Sequence, residues 1–543
     1  MKKKILSTAL ILGLSLIQSS CIFANSTDKF SVNVYDLNVP NEYRVPYSNS
    51  SEGYFEDGLV TGFGSAVTFK GYNENGEPEF YAVTDRGPNA DGPLYNNGST
   101  ITESKIFPCK EFTPSIATVT LRNGKADVTS VIELKDSNGN KISGLPLEPG
   151  TVGSTGETAL DININNIGYD VNGLDTEGIA VDKEGNFYLC DEYGPFIVKV
   201  SPDGRIIEKY SPENGLPEII SERIPNRGFE GLTITPSGKI LASVQSVLDI
   251  NGETKNTACF TRIVEFDPIT NETKMYAYPV DVSLYKSPKD CKIGDIYAID
   301  DNTLLVIEQG KLKDKTMSNN IYKVDLSSAT DISNVMYEGK DLEYATSKDD
   351  LGINFLDKEL YINLRDKGFT AEKAEGICMT DDGKIVIIND NDFGIVTKTV
   401  DGENEDADIT DYVYNALDKT YNLEGEIRNP VISIEENTEP AQVWVLSENT
   451  SYEYVMIRNL AKKLSGTDRN FDVSFNVEDK TVNITKNRDY IETGIENIYE
   501  VLTEKPSTES EWTLKIDGND TKINLYNING YNYVKLSDID SLI

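Results

Sequence analysis

The sequence predicts a mainly β protein, in which repeated four-stranded units surround a common axis and a small α+β domain follows. Three observations support this prediction. A hairpin pattern recurs at fixed spacing, two further extended segments follow each copy, and the repeats stop after Tyr414. Fixed-offset recurrence is the sequence signature of repeat architectures. Four strands per repeat predict a five- or six-bladed β-propeller.

The clearest repeat is the stretch GLDTEGIAVDKEGNFYLCDEYGP at residues 173–195. Apolar residues alternate over 176–181 and again over 186–192, and Gly185 marks the turn between them, which is the pattern of a hairpin. Glu177 opens the first strand and Glu192 closes the second, so pairing would gather acidic groups at one sheet edge. A lone hairpin is marginally stable in water and needs neighbours to cover its apolar face.

Further copies of the hairpin begin at Glu230 and Glu375, each with a turn glycine eight residues later. A looser copy begins at Asp295, and an earlier one over 64–88 ends its second strand at Asp85. The second strands of the others end at Glu192, Gln245, Gln309 and Asp390. The outer strands of the five units are predicted at 116–121 and 126–134, 196–201 and 205–210, 262–267 and 273–278, 321–325 and 332–337, and 394–399 and 408–414.

Two other segments bear on the number and closure of the repeats. Residues 31–37 form an extended, alternating stretch before the first hairpin. We expect this strand to close the ring against the last blade. A degenerate sixth blade around 350–365 is the alternative to a five-bladed ring.

The first 24 residues have the features of a secretory signal peptide. Residues 1–4 are basic, residues 5–17 are almost wholly apolar, and Ala24 offers a small residue for cleavage. The apolar run is too short to cross a bilayer, and no later segment is long and apolar enough. The sequence therefore predicts a secreted, extracellular protein without a membrane span.

Charge and composition narrow the chemistry. The formal net charge is −38, and removing Lys2, Lys3 and Lys4 with the signal peptide makes it −41. Such a chain repels nucleic acid and anionic membranes and attracts cations. The absence of histidine excludes Ser-His-Asp and Cys-His nucleophile systems and His-ligated zinc or copper. Carboxylates and a hard metal remain, and Ca²⁺ suits an all-oxygen site.

In a propeller the first strand of each blade lines the central channel, so the acidic ends of the repeats should converge. Crowded like charges raise one another's pKa or recruit a cation. An alternative explanation is that each Glu-Gly pair satisfies backbone donors in a tight turn. The predicted metal ligands are Asp85, Glu177, Glu192, Glu230, Asp295, Glu375 and Asp390.

Four motifs in order resemble the phytase-like family, described as having esterase-like activity. They are DRGP at 85–88, the stretch at 173–195, NRGFEGLTITPSGKILASVQ at 226–245 and KAEGICMTDDGKIVIINDND at 373–392. The resemblance covers about 58–414 and implies a propeller that hydrolyses phosphomonoesters or small esters with Ca²⁺. The positions that match the motifs are Asp85, Arg86, Glu177, Asp191, Glu192, Arg227, Glu230 and Glu375.

Two arginines beside the predicted carboxylates suggest how a substrate could be held. Arg86 and Arg227 could orient an anionic ester bidentately next to Glu230, and these three are the candidate catalytic residues. Alternatively, each arginine clamps carboxylates and ties blades together. The rival function is a non-catalytic binding module of the cell envelope, in which the propeller is a scaffold and the metal is structural.

The C-terminal part of the chain has a different pattern. We predict that the propeller spans 25–429, that a polar, turn-prone linker occupies 430–450, and that an accessory domain fills 451–543. This last part, with a helix predicted at 457–464, resembles the stalk domain named for the N-terminus of copper amine oxidase. The resemblance implies a surface contact, such as the cell wall, without copper chemistry. The expected protein is a monomer.

Overall fold

The structure is a computed structural model, and it describes residues 29–47, 55–448, 454–467, 469–494, 496, 506, 508–528 and 530–540. The predicted signal peptide lies outside the described residues. The chain divides into two compact units, of which the larger is Val32–Ser447 and the smaller contains the described residues from Glu448 onward. No helix in the described ranges has the length and apolar character needed to span a membrane.

The larger unit is built almost wholly from short strands. In chain order they are β1 (Phe30–Asn38), β2 (Ala66–Tyr72), β3 (Pro78–Val83), β4 (Ala90–Asp91), β5 (Leu94–Asn96), β6 (Ile101–Thr102), β7 (Ser104–Ile106), β8 (Ser115–Arg122), β9 (Lys125–Glu133), β10 (Thr158–Leu160), β11 (Thr176–Val181), β12 (Phe187–Asp191), β13 (Phe196–Val200), β14 (Ile206–Tyr210), β15 (Phe229–Ile234), β16 (Ile240–Val244), β17 (Phe260–Phe266), β18 (Thr273–Pro279), β19 (Lys292–Ala298), β20 (Thr303–Lys311), β21 (Met317–Asp325), β22 (Asp357–Asn363), β23 (Gly376–Met379), β24 (Ile385–Ile388), β25 (Ile395–Val400), β26 (Val413–Asn415), β27 (Thr420–Leu423), β28 (Glu426–Arg428), β29 (Val431–Glu436) and β30 (Gln442–Glu448).

Short 3₁₀ helices punctuate the loops of this unit. They are Asn41–Tyr43, Glu218–Glu222, Ile250–Gly252, Pro288–Asp290, Leu342–Tyr344, Lys348–Asp350, Arg365–Lys367, Asp392–Gly394 and Ile409–Asp411. The smaller unit contains β31 (Tyr454–Met456), α1 (Ile457–Leu464), β32 (Phe471–Asn476), β33 (Thr481–Lys486), β34 (Thr513–Ile516), β35 (Asn519–Asp520), β36 (Leu525–Ile528), β37 (Tyr531–Lys535) and α2 (Leu536–Asp540). The helix predicted at 457–464 is confirmed by α1.

The sheets of the larger unit are propeller-like. Three of them are antiparallel and four-stranded, in the orders β11-β12-β13-β14, β15-β16-β17-β18 and β19-β20-β21-β22. A longer sheet has the order β2-β3-β8-β9-β1-β30-β24-β23, with β2 and β23 at its two ends. The first strands contact one another in a cycle, from β2 to β11, β15, β19, β23 and back to β2. The fold is therefore mainly β, with the first strands of the repeats gathered at its centre.

The N-terminal strand closes the long sheet. β1 pairs in parallel with β9 and neighbours β30 on its other side, so it joins the first repeat to the last. This confirms the prediction that residues 31–37 close the ring against the last blade. The segment considered for a sixth blade instead supplies β22, the outer strand paired with β21.

Apolar side chains fill the space between neighbouring sheets. Tyr188 and Cys190 of β12 pack with the sheet that contains β15, whereas Leu189 between them packs with the sheet that contains β2. Alternate residues of one strand thus serve two cores, because successive side chains point to opposite faces. Each fully buried large apolar side chain contributes about 1.5–3 kcal/mol relative to exposure.

Three predicted outer strands, at 332–337, 394–399 and 408–414, are not the outer strands of their repeats. The segment 332–337 is not a strand, because the Asp331 carboxylate accepts bonds from the Ser333 N–H and hydroxyl and turns the backbone. The segment 394–399 forms β25 but does not pair with β24. Asp392 and Phe393 have φ of 51° and 55°, which turns the chain away, and β25 pairs with β29 instead.

The segment predicted as a linker, 430–450, contains β29 and β30. β30 pairs with β24 through four residue pairs and takes the place that the prediction gave to β25. The boundary predicted at 429 therefore falls inside the larger unit. In the segment 408–414, the Asp408 carboxylate caps the 3₁₀ helix Ile409–Asp411, and only the last two residues belong to β26. β26 joins the separate sheet β28-β27-β26-β5-β6.

Candidate functional site

A polar cavity of about 430 Å³ lies where the first strands begin and the second strands end. Nine carboxylates and five cationic side chains are among the residues that line it. The carboxylates outnumber the cations, so the cavity attracts positive charge before it can accept an anion.

Glu177 and Glu230 reach the cavity from bulges. In β11 the register with β12 shifts between Thr176 and Gly178, and in β15 it shifts at the equivalent place, before Gly231. Each Glu is thus the extra residue of a β-bulge, a device that re-aims a side chain. Glu177 is 6% exposed and Glu230 is 3% exposed.

The glycine after each Glu is required by packing. A Cβ on Gly178 would lie 2.9 Å from the Leu232 nitrogen, and a Cβ on Gly231 would lie 2.7 Å from the Asp295 Cα. The backbones of neighbouring first strands therefore approach too closely for any larger residue. The recurring Glu-Gly pair combines a spacing requirement, met by Gly, with a carboxylate directed into the cavity.

Asp175 and Glu192 complete a compact carboxylate group with Glu177. One oxygen of each lies within 4.8 Å of the others. Glu192 Oε1 accepts a bond from Gln245 Nε2 at 2.7 Å, and its Oε2 accepts one from Asn226 Nδ2 at 3.0 Å. These amide donors fix the Glu192 carboxylate while its charge faces Asp175.

Several carboxylate oxygens of the cavity are buried without a hydrogen-bond donor. Within the described ranges, Asp175 Oδ2, Glu177 Oε2 and Glu230 Oε2 accept no hydrogen bond. Asp175 Oδ2 is 3.6 Å from Arg86 Nη1, which gives it an ion pair but no bond. A buried charged oxygen without a partner is costly, so three in one place require an explanation.

Arg86 is held by several protein groups. Its Nη1 donates to Glu157 Oε2 and to Asn226 Oδ1, each at 3.2 Å, and its backbone N–H donates to Asp175 Oδ1 at 3.0 Å. Burial alone would lower the pKa of Arg86, but the charges of Asp175, Tyr193 and Glu157 outweigh it and raise the pKa well above its usual value. Arg86 acts as a clamp between the residues around the cavity.

A second ion-pair network lies on the side of Glu375. Lys373 Nζ is 3.2 Å from Asp390 Oδ2, 2.8 Å from Asp392 Oδ1 and 4.0 Å from Glu375 Oε2. Burial raises the pKa of Glu375 to about 8 and that of Asp390 to about 6, although the charge of Lys373 opposes both shifts. Lys373 therefore balances part of the negative charge of Glu375, Asp390 and Asp392.

Burial and mutual repulsion control the protonation of the central carboxylates. Burial, and then the charges of Asp175, Glu230, Glu375 and Glu192, raise the pKa of Glu177 well above its usual range. Burial, and then the charges of Glu192 and Glu375, raise the pKa of Glu230 well above its usual range. Burial and Asp175 raise the pKa of Glu192 to about 7, against the charge of Arg86. A bound cation would favour the charged forms of all of them.

The cavity brings together most of the residues proposed from the sequence. Those that line it are Asp85, Arg86, Glu177, Glu192, Arg227, Glu230, Glu375 and Asp390. Asp85 is also held locally, since its Oδ1 accepts the Gly87 N–H at 2.7 Å. Asp191 supports the site from behind, because its Oδ1 accepts the N–H groups of Asp175 and Tyr193.

Asp295 is not among the residues that line the cavity. In β19 the bulge falls at Gly294, so Asp295 occupies the position that Gly178 and Gly231 hold in the other repeats. A shift of one residue turns a side chain to the other face of a sheet. The Asp295 oxygens instead accept the N–H groups of Ile296 and Ile377, both at 2.8 Å.

Sequence reasoning did not single out Asp175, Lys292 and Lys373, which also line the cavity. Asp175 lies two residues before Glu177 in the motif LDTEG, and Lys373 lies two residues before Glu375. A charged residue two positions before the Glu was therefore a usable signal in both repeats. Lys292 likewise lies two positions before the bulge residue of its repeat, Gly294, but the predicted repeat began at Asp295, which concealed this equivalence.

The larger unit is thus a propeller-like scaffold with a carboxylate-lined cavity at the start of its first strands. The family model described as phytase-like, esterase-like activity of phytase, matches residues 60–393, which is more than half of the chain. The chain belongs to this phytase-like family.

An uncharacterized secreted protein of the fungus Arthroderma benhamiae is 25% identical over 299 residues, which are 47% of this chain and 58% of that relative. The chain thus covers less than two thirds of the relative's length. Among solved structures, virginiamycin B lyase from Staphylococcus aureus is 9% identical, with 77% of this chain and 99% of that chain covered and a TM-score of 0.24. A Lactobacillus plantarum protein is 11% identical, with 70% and 91% covered and a TM-score of 0.27. Neither structure bears on function.

Proposed function

We propose that the cavity is the active site of a secreted, calcium-dependent hydrolase of phosphomonoesters or small esters. The observation that carries this proposal is the group of buried carboxylate oxygens without hydrogen-bond donors, on Asp175, Glu177 and Glu230. Membership of a family described by esterase-like activity supports the reaction class. The secreted relative supports the location, together with the signal peptide predicted from the sequence.

The donor set fits Ca²⁺. Ca²⁺ binds six to eight oxygens at about 2.3–2.6 Å, so two ligands of one ion are at most roughly 5 Å apart. The oxygens of Asp175, Glu177 and Glu192 lie within 4.8 Å of one another, which meets this limit. We assign these three as the principal ligands, with Asp85, Glu230, Glu375 and Asp390 completing the acidic wall. Asp295 is not included.

The residues of the chain would share the remaining work. A bound divalent cation supplies polarisation of the substrate oxygen and of water. Glu230 Oε2 is the atom proposed to take the proton of the attacking water, since it is buried and accepts no hydrogen bond among the described residues. Arg227 is proposed to face the anionic ester, whereas Arg86 keeps Asp175 in place through its clamp.

A second candidate is a non-catalytic binding module with a structural metal. The clamp of Arg86 favours it, because Arg86 ties Asp175 to Glu157 and Asn226 from separate parts of the chain. In this case the smaller unit, proposed to resemble the copper amine oxidase stalk domain, would contact the cell wall. Both candidates are proposed to act as a monomer.

The two candidates are separated by a substrate panel on the purified full-length secreted protein. We expect hydrolysis of p-nitrophenyl phosphate or p-nitrophenyl acetate that EGTA abolishes and Ca²⁺ restores. Glu230→Gln should lower kcat at least about 100-fold, in the range found when one stabilising or proton-transfer group is lost. Glu184→Gln, in the exposed turn of the β11–β12 hairpin, is the matched control.

Unchanged turnover in EGTA and in Glu230→Gln would contradict the hydrolase. The binding module predicts a different result, in which EGTA lowers the melting temperature but no substrate in the panel is turned over.

A further inference from the structure

Lys292 is a cation of the cavity that makes no close ion pair among the described residues, although its charge acts on Glu192, Glu230 and Glu375 from a distance. It is the first residue of β19, is partly buried and lines the cavity. Across the described ranges, its Nζ has no carboxylate within 4.0 Å and makes no side-chain hydrogen bond. Three other cations of the cavity do have such partners, since Arg86 pairs with Glu157, Lys105 with Asp91 and Lys373 with Asp390.

Arg227 is the second cation without a carboxylate partner in the described structure. Its Nη1 donates to the Lys289 carbonyl and lies 3.5 Å from the Ser246 hydroxyl. Lys289 belongs to the 3₁₀ helix Pro288–Asp290, which leads directly into β19. The guanidinium is therefore tethered to the segment that carries Lys292, and this segment links the two cations that have no close ion pair in the described structure.

We propose that Lys292 binds the anionic group of the substrate, with Arg227 as its neighbouring donor. This inference rests on the proposed function and narrows the substrate class to esters that carry a single anionic group, as a phosphomonoester does. Two cations are enough to balance one phosphoryl dianion. The other three cations are occupied by carboxylates, so a second phosphoryl group on the same substrate would meet only acidic side chains.

The position of Lys292 also explains how an acidic cavity accepts an anion. Nine carboxylates against five cations repel a phosphate unless a divalent cation is bound. Once that cation is present, Lys292 can add charge-assisted bonds to the anion. Binding of the anion should therefore require both the metal and Lys292.

The test uses phenylphosphonate, a non-hydrolysable analogue of a phosphomonoester, titrated by calorimetry into the full-length protein saturated with Ca²⁺. Lys292→Met should weaken phenylphosphonate binding roughly tenfold or more, the effect of losing one charge-assisted contact. Lys292→Arg should stay within about threefold of the wild type, because the positive charge remains. Lys286→Met is the control, since Lys286 is exposed, lies in the same segment and is outside the cavity.

A direct Ca²⁺ titration separates anion binding from metal binding. Lys292→Met should bind Ca²⁺ as tightly as the wild type or more tightly, because a positive charge beside the carboxylates is removed. Loss of Ca²⁺ binding in this variant, equal phenylphosphonate affinity in Lys292→Met and wild type, or no binding by the wild type would each overturn the inference. Phenylphosphonate binding that depends on Lys292 in a protein without turnover would support the anion site and contradict only the proposed hydrolase.

Discussion

Glu177→Gln should change the stability of the metal-free and calcium-bound protein in opposite directions. In the metal-free protein, Glu177 is buried among like charges and its Oε2 accepts no hydrogen bond from the described residues. Removing the charge should stabilise that state by about 1–3 kcal/mol, the usual cost of an unsatisfied buried group. In the calcium-bound protein, the same substitution removes a ligand. The melting temperature with and without Ca²⁺ therefore reports both effects.

The size of the shift follows from mass action. At a Ca²⁺ concentration about 1,000 times the wild-type Kd, binding contributes about 4.1 kcal/mol. An unfolding entropy near 2.1 cal/mol/K per residue gives roughly 0.9 kcal/mol/K for about 400 residues, so the wild type should gain about 5 °C. Loss of a residue that only supports a metal ligand can weaken metal binding by up to about 100-fold. If Glu177→Gln weakens Ca²⁺ binding by about that factor, the stabilisation by Ca²⁺ falls to about 1.4 kcal/mol, or roughly 2 °C in melting temperature.

Differential scanning calorimetry in EGTA and in excess Ca²⁺ measures both shifts. Metal-free Glu177→Gln should melt about 1–3 °C above the metal-free wild type. Glu184→Gln, exposed in the turn of the same hairpin, should behave as the wild type in both buffers. A metal-free variant that melts below the wild type, or one that keeps the full calcium shift, would refute the reasoning that Glu177 is a ligand held at a cost to the fold.

Two further predictions concern pH and Asp295. Burial raises the pKa values of Glu192, Glu375 and Asp390 to about 7, 8 and 6. A carboxyl group whose pKa is higher in the folded than in the unfolded protein favours folding while it is protonated. Its contribution to stability is complete below its pKa in the unfolded protein, near pH 4, and is lost as the pH rises through its pKa in the folded protein. The melting temperature in EGTA should therefore fall as the pH rises from about 5 to 8. Excess Ca²⁺ should reduce or reverse that fall. A metal-free protein that becomes more stable over this pH range would contradict the predicted direction of the change. Asp295→Ala should cost about 1–3 kcal/mol of stability, because the Ile296 and Ile377 N–H groups lose their acceptor. Calorimetric titration of this variant should show unchanged Ca²⁺ affinity. A tenfold loss of Ca²⁺ affinity would instead place Asp295 in the metal site.

The central hairpins could be predicted because their signal is local. Strict alternation and a turn glycine predicted 176–181 as a strand, and β11 spans the same residues. The partner of a strand is a non-local property, and here the sequence was less informative. β25 has the pattern of a third strand, yet positive φ at Asp392 and Phe393 sends it away, and the better partner for β24 comes more than forty residues later as β30.

The same distinction applies to the cavity. Repeat spacing predicted the convergence of Glu177, Glu230 and Glu375, since equivalent positions of equivalent strands meet at one end. The prediction failed at Asp295 because the bulge in β19 falls on Gly294. The local sequence does not reveal which residue of a strand forms a bulge. It also could not distinguish Arg86, which has carboxylate partners, from Arg227 and Lys292, which have none within 4.0 Å among the described residues. That difference depends on contacts such as the one between Arg86 and Glu157, which are 71 positions apart in the chain.

The repeat built on β19 serves as an internal control for the role of the acidic residues. Its bulge is formed with Gly294, which has no side chain, and the strand still pairs with β20 through six residue pairs. The bulge therefore does not need a carboxylate to form, and turn geometry alone does not explain Glu177 and Glu230. Their unpartnered buried oxygens make the metal-free fold less stable, whereas the following glycines are required by backbone contact. Buried Glu at two of these positions, where the fold accepts Gly at a third, fits the proposed cation, whose charge would offset those carboxylates.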